Sequence, residues 1–165
     1  MGLDMYFNAK RYLSEYIETD AEIQSKVKEI ASGFIDEWKP KEITYEVGYW
    51  RKANQIHNWF VQNVQDGEDD CKEYYVTPES IIELYEVVSE VLASGSKEVA
   101  EDKLPPQSGF FFGSYDIDEW YWQDLEHTKQ VLQPLIDAFN EASEMGYESY
   151  KHPIHQFEFY YRSSW

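Results

Sequence analysis

The chain has 165 residues, with 32 Asp or Glu against 14 Lys or Arg, a formal net charge of −18 with its four histidines neutral. A surface that tracks nucleic acid or an anionic membrane needs a positive field, so this balance excludes a plain polyanion binder. Aromatic residues make up 18% of the chain, which excludes an acidic disordered tail, and the length suits one domain, residues 1–165, with a core of its own.

Leu3, Met5 and Phe7 alternate with Asp4, Tyr6 and Asn8, the period-two pattern of a half-buried first strand. From Thr19 to Ile35 the apolar positions Ile23, Val27, Ile30 and Phe34 step by four, three and four. With Asp20 to cap the start and Gly33 near the end, they predict an amphipathic helix. Ile43 to Val47 has the β-branched and aromatic content of a short strand, and Gly48 then allows a turn. Tyr49, Ala53, Ile56, Phe60 and Val64 recur at helical spacing, with Trp50, Asn54 and His57 along one flank. Gln65 to Lys72 reads as an acidic turn broken at Asp66-Gly67, and Glu73 to Val76 as one more strand.

Thr77-Pro78-Glu79 combines an N-cap, a proline at the first helical position and an acid in the first turn. It predicts a third helix with Ile81, Tyr85, Val88 and Leu92 on one face. Ser94 to Gln107 is a connection with room for one helical turn, and Phe110-Phe111-Phe112 between two glycines is a buried strand or an aromatic plug. Asp116 and Asp118 precede a long helix in which Trp120, Asp124, Thr128, Val131, Leu135 and Ala138 share a face; Pro134 predicts a kink or break inside it. Phe157, Phe159 and Tyr161 alternate with polar neighbours as the last strand. The expected fold class is α+β: a small mixed or antiparallel sheet that includes the N- and C-terminal strands, with about four helices packed on it.

Three stretches carry a resemblance: Gly2-Leu3-Asp4-Met5-Tyr6, the run Tyr49-Trp50-Arg51-Lys52-Ala53-Asn54-Gln55-Ile56-His57-Asn58-Trp59-Phe60, and Phe159-Tyr160-Tyr161-Arg162-Ser163-Ser164-Trp165. With Asn63 to Cys71 and Ser108 to Ser114, they make the chain resemble a family of small uncharacterised phage and prophage proteins, with departures in Leu13 to Glu42 and Ser143 to His155. The resemblance implies a setting, a phage gene product in the cytoplasm of an infected bacterium, and brings no catalytic residue with it.

Trp50, Arg51, Lys52, Asn54, His57 and Asn58 offer a guanidinium, an ammonium, an imidazole, two amides and a stacking ring within twelve residues of Tyr49 to Phe60. Such a patch grips a phosphate or nucleotide through charge-assisted bonds and stacking. Asp116, Asp118, Glu119, Trp120 and Trp122 form an acidic and aromatic segment suited to an interface with a basic partner. Asp66, Glu68, Asp69 and Asp70 lack the glycine and glutamate positions of an EF-hand loop, so no metal site and no cofactor is assigned. His152 and His155 flank Pro153 and receive no role. The lone Cys71 forms no internal disulfide, the start shows no signal-peptide pattern, and no apolar run reaches membrane-spanning length; all three favour an intracellular, unanchored protein.

Three functions stay open on this reading. The first is an acidic binding protein that inhibits a host protein, an anti-defence factor whose surface mimics nucleic acid or meets the basic groove of a nucleic-acid-processing or defence enzyme, without binding nucleic acid itself. The second is a sponge for a nucleotide or signalling molecule, built on Trp50, Arg51, Lys52 and His57. The third is a small hydrolase or transferase with His57 as acid/base and a carboxylate from the Asp66 to Asp70 turn, or Cys71 as nucleophile, although no catalytic motif is complete.

Overall fold

The computed structural model describes residues 2–31, 37–109 and 112–165. Four strands, β1 (Asp4–Tyr12), β2 (Glu42–Arg51), β3 (Tyr74–Val76) and β4 (Glu158–Ser164), form an antiparallel sheet in the order β2-β1-β4-β3. The first and last strands lie side by side at its centre, with Phe7 opposite Tyr161. Strand alternation decides what is buried: Met5, Phe7 and Ala9 point inward from β1, Phe159 and Tyr161 from β4. Their rings meet, Phe7 on Phe159 at 5.9 Å and Tyr161 stacked on Phe60 at 3.8 Å.

The helices are α1 (Glu18–Ala31), α2 (Asn54–Asn63), α3 (Pro78–Ser94), α4 (Lys97–Lys103) and α5 (Glu119–Glu144), followed by two 3-10 turns. The fold is α+β as expected, with one helix more than the four anticipated. Helices α2, α3 and α5 cover the inner face of the sheet through Ile56, Phe60, Leu84, Val88, Leu125 and Leu132, and α4 adds Ala100 to the same core. The start of α3 behaves as its sequence predicts: Thr77 Oγ1 accepts from the Ser80 amide at 3.1 Å, Pro78 fills the first turn, and Gly95 ends the helix at φ 58°.

Several expectations are corrected. Gly48 is not a turn: β2 runs through it to Arg51, so Tyr49, Trp50 and Arg51 are strand residues and α2 begins only at Asn54. The ladder jumps from Phe7 opposite Gly48 to Asn8 opposite Glu46, leaving Val47 as a bulge. A Cβ on Gly48 would stand 2.6 Å from Val131 Cγ1, so glycine is what lets α5 lie against this strand. Helix α1 buries Asp20 and Gln24 instead of its apolar stripe, while Val27 and Ile30 are exposed. The buried polar pair has work to do: Asp20 accepts from Arg11 and the Ser14 amide, and Gln24 donates to the carbonyls of Leu13 and Pro40. Gly33, Phe34 and Ile35 lie outside the described residues, as do Phe110 and Phe111, whereas Phe112 is buried in a loop. Helix α5 continues through Pro134 without a break. It buries Tyr121, Leu125, Thr128 and Leu132, a face rotated from the one predicted, so Trp120 stays exposed. Among the described residues no helix is long and apolar enough to cross a membrane.

Candidate functional site

Strand β2 ends at Arg51, and the chain turns at once into α2. Lys52 makes the turn in the left-handed region, φ 65°, its amide bonded to the Leu3 carbonyl at 2.8 Å and its carbonyl taken by the Asn54 amide. A non-glycine residue in this conformation carries local strain that the surrounding contacts must hold. Gly113, at φ 91°, backs onto it, with room for a Cβ only 3.3 Å from Lys52 Cβ.

Asn54 then fixes the opposite wall. Its amide nitrogen donates to the carbonyls of Phe112 at 3.0 Å and Ser114 at 2.8 Å, and its oxygen accepts from the Gln107 amide at 3.1 Å. One buried side chain therefore ties Gln107 and the Phe112–Ser114 stretch to the start of α2. Beyond that loop Asp118 caps α5, accepting from the amides of Trp120 and Tyr121 at 2.9 and 3.1 Å.

These three elements enclose a cavity of about 340 Å³. From the β2–α2 junction come Arg51, Lys52, Asn54 and Gln55; from the loop, Gly113, Ser114 and Asp116; from the start of α5, Asp118, Trp120, Tyr121 and Asp124. Arg51 is largely exposed, its nearest carboxylate Asp4 at 4.0 Å, and the Lys52 ammonium has no ion-pair or hydrogen-bond partner among the described residues. Trp120 is 72% exposed and its ring stands at the rim. Buried Gln55 donates to the Asp124 carboxylate at 3.3 Å and to the Tyr121 carbonyl at 3.5 Å. Burial pushes the Asp124 carboxyl up to about 6, against the opposing pull of the Gln55 bond and of His127. The cavity thus offers two cations at one side, an exposed indole and a carboxyl whose pKa burial has pushed up to about 6.

The two sequence segments singled out for binding and for an interface meet in this cavity, through Arg51, Lys52 and Asn54 from one and Asp116, Asp118 and Trp120 from the other. Other candidates fall elsewhere. Trp50 faces the core because it sits at an inward strand position, and its indole N–H donates to Thr128 Oγ1 at 2.9 Å. His57 is fully buried: Nε2 lies 2.9 Å from Asp69 Oδ2, and Nδ1 lies 2.8 Å from the Tyr161 hydroxyl. The Asp69 carboxylate accepts from Nε2–H, so Nδ1 is left to accept from the Tyr161 hydroxyl. Burial holds this imidazole below its usual pKa, with Asp69 partly offsetting the effect. The carboxylate partner anticipated for His57 is present, but the pair lines no described cavity, and with both ring nitrogens engaged His57 has none left for Cys71. Asn58 lies on a smaller cavity of about 160 Å³, its amide 3.4 Å from the Pro105 carbonyl. Glu119 is exposed and accepts from Gln123, while Trp122 is partly buried against the core, its ring 5.4 Å from Tyr121.

In the acidic turn, Asp69 also accepts from the Trp165 indole, and Asp70 is held by Lys72 at 2.5 Å and by the Tyr74 hydroxyl. Sequence reasoning missed Gln55, Ser114 and Asp124 as cavity residues. Asp124 stands one helical turn after Trp120, a spacing that places both on one side of α5. No family model, curated protein or solved structure matches the chain.

Proposed function

We propose that this protein binds a small anionic ligand of nucleotide type, a nucleotide or a signalling molecule with a phosphate. The observation that carries the reading is the convergence of Arg51 and Lys52 with Trp120 on one cavity, although the segments lie far apart in sequence. The guanidinium and ammonium suit a phosphate, and the indole suits a planar base. The carboxylates of Asp116 and Asp124 suit hydroxyl or amino donors between them, and disfavour a bare inorganic anion. In the setting that the phage resemblance implies, such a protein withdraws a messenger from the infected cell.

The test is mass spectrometry of small molecules released by heat from protein purified out of bacterial lysate, followed by thermal shift with the nucleotides found. Binding at a hundredfold excess over Kd raises stability by about 2.7 kcal/mol. The double variant Arg51→Ala/Lys52→Ala is expected to lose that shift while keeping the ligand-free melting temperature; an undiminished shift would falsify the reading.

A second reading, the acidic protein that blocks a basic host enzyme, is favoured by how the charges are arranged. Many described cations are already held by carboxylates, Lys10 by Glu73, Lys39 by Glu15 and Lys72 by Asp70 among them. The remaining carboxylates, on a chain at −18, therefore set the outward field.

A further inference from the structure

The sheet has a second face that no helix covers among the described residues. Tyr6 of β1 pairs in register with Tyr49 of β2 and with Arg162 of β4, and Tyr160 of β4 pairs with Tyr75 of β3. Strand alternation thus lines up four phenol rings across all four strands on the side away from the core. Tyr6 and Tyr49 lie 5.5 Å apart by their centroids, and Tyr75 and Tyr160 5.7 Å. Two cations of the chain already lie on these rings, Lys10 Nζ 4.5 Å from the Tyr160 centroid and the Arg162 guanidinium 4.9 Å from Tyr6. The rings of Tyr49, 39% exposed, and Tyr75, 50% exposed, have no cation over them among the described residues.

Carboxylates stand among them. Tyr49 donates its hydroxyl to Asp4, Tyr160 donates to Glu158 at 2.8 Å, and Glu46 lies on the same face opposite Asn8. These phenol–carboxylate bonds raise both tyrosines above their usual pKa, Tyr160 to about 12, so the rings stay neutral and hold their hydroxyls in place.

We propose that this tyrosine face docks an arginine- or lysine-rich segment of a partner protein, whose cationic groups lie on Tyr49 and Tyr75 as Lys10 and Arg162 lie on their neighbours. Guanidinium on a phenol ring flanked by carboxylates gains from both the ring quadrupole and the charge. Charge selects the occupant. Single-stranded nucleic acid also stacks on sheet aromatics, but needs a positive groove, and this chain carries −18. A second copy would bring like charge to like. The proposal rests on the acidic-binder reading and gives it a surface; Arg51, 4.0 Å from the Asp4 carboxylate that holds Tyr49, stands between this face and the cavity.

The experiment is calorimetric titration of the whole protein with an arginine-rich peptide, its glutamine-substituted counterpart and a single-stranded oligonucleotide, at low and high salt. Binding of the arginine peptide alone, weakened by salt and about tenfold weaker in Tyr49→Ser/Tyr75→Ser, supports the proposal. Glu46→Lys, an exposed change, is expected to weaken binding too and serves if the tyrosine variant does not fold. Arginine-peptide binding that is undiminished in these variants overturns the surface assignment and leaves the acidic-binder reading standing. No binding of the arginine peptide, or preference for the oligonucleotide, overturns both.

Discussion

Asp124 sits in the cavity wall with its carboxyl pushed up to about 6 against an ordinary value of 3.8. The sign follows from proton linkage. Between those values the folded chain holds a proton that the unfolded chain has released, so the stability Asp124 contributes is complete below about pH 4 and lost as pH rises through about 6. Above that, an ionised carboxylate is kept partly out of water, at a cost of about 1–2 kcal/mol after allowance for its partial exposure. Asp124→Asn keeps an oxygen for Gln55 to donate to and removes the charge. It is expected to raise the melting temperature by about 2–6 °C at pH 8, with a much smaller change at pH 4, as read by thermal denaturation across pH. His57 works the other way: its lowered pKa makes the fold lose stability as pH falls below about 6.5. That loss is common to both proteins and drops out of their difference. A flat difference curve would mean that Asp124 is as well solvated as a surface carboxylate. Asp124 was legible in the sequence only as a residue of a helical pattern, because the burial that distinguishes it arises only where its helix meets the rest of the cavity wall.

At the level of elements, Asn54 is the link between the β2–α2 junction and the loop that closes the cavity. Asn54→Ala removes three hydrogen bonds to backbone groups of Gln107, Phe112 and Ser114. The expected cost is about 1–3 kcal/mol, with hydrogen exchange at the Gln107 amide faster by about one to two orders of magnitude while the core amides of β1 are unchanged. Uniform acceleration across the sheet would instead mark Asn54 as part of the global core.

Which elements were legible follows from where their determinants lie. Helix α3 announces itself through Thr77, Pro78 and the periodic Ile81 and Val88, all local signals, and β1 through its alternation. The stretch from Tyr49 to Arg51 is different. Tyr49, Ala53, Ile56 and Phe60 fit a helical period, while Gly48 and Trp50 fit the inward positions of a strand. Pairing with Met5 and Phe7, more than forty residues away in sequence, settles the matter for the strand. Helix α1 shows a further limit: Ile23, Val27 and Ile30 lie in a helix as predicted, yet the side turned inward is the one whose Asp20 and Gln24 satisfy Arg11 and the loop carbonyls. Hydrophobic period says that a helix forms, and the polar groups waiting at its docking place say which side goes in.

For the molecule as a whole, the fold class was legible because it needs only the order and type of the elements. The cavity was not, since it arises where β2, α2, residues 113–116 and α5 come together. The central position of β1 and β4 sets Asp4 opposite Ser164, so the two ends of the described sheet are neighbours. A circular permutant that joins residues 165 and 2 through a short flexible linker and opens the chain between Gly95 and Ser96, in the exposed turn after α3, is expected to fold with the same circular dichroism spectrum. Its melting temperature should lie within about 10 °C of the parent. Deletion of residues 158–165 is expected to leave no cooperative melting transition, and a truncated chain that still melts sharply would show β4 to be an accessory strand.

The same adjacency governs how the chain is made. Met5 and Phe7 leave the ribosome about ten to thirty seconds before Phe159 and Tyr161 at ordinary rates of synthesis. During that interval β1 has only β2 to pair with, and its other edge waits unpaired. The nascent chain carries one open edge of β1 through the synthesis of α2 to α5, and only the arrival of β4 closes it.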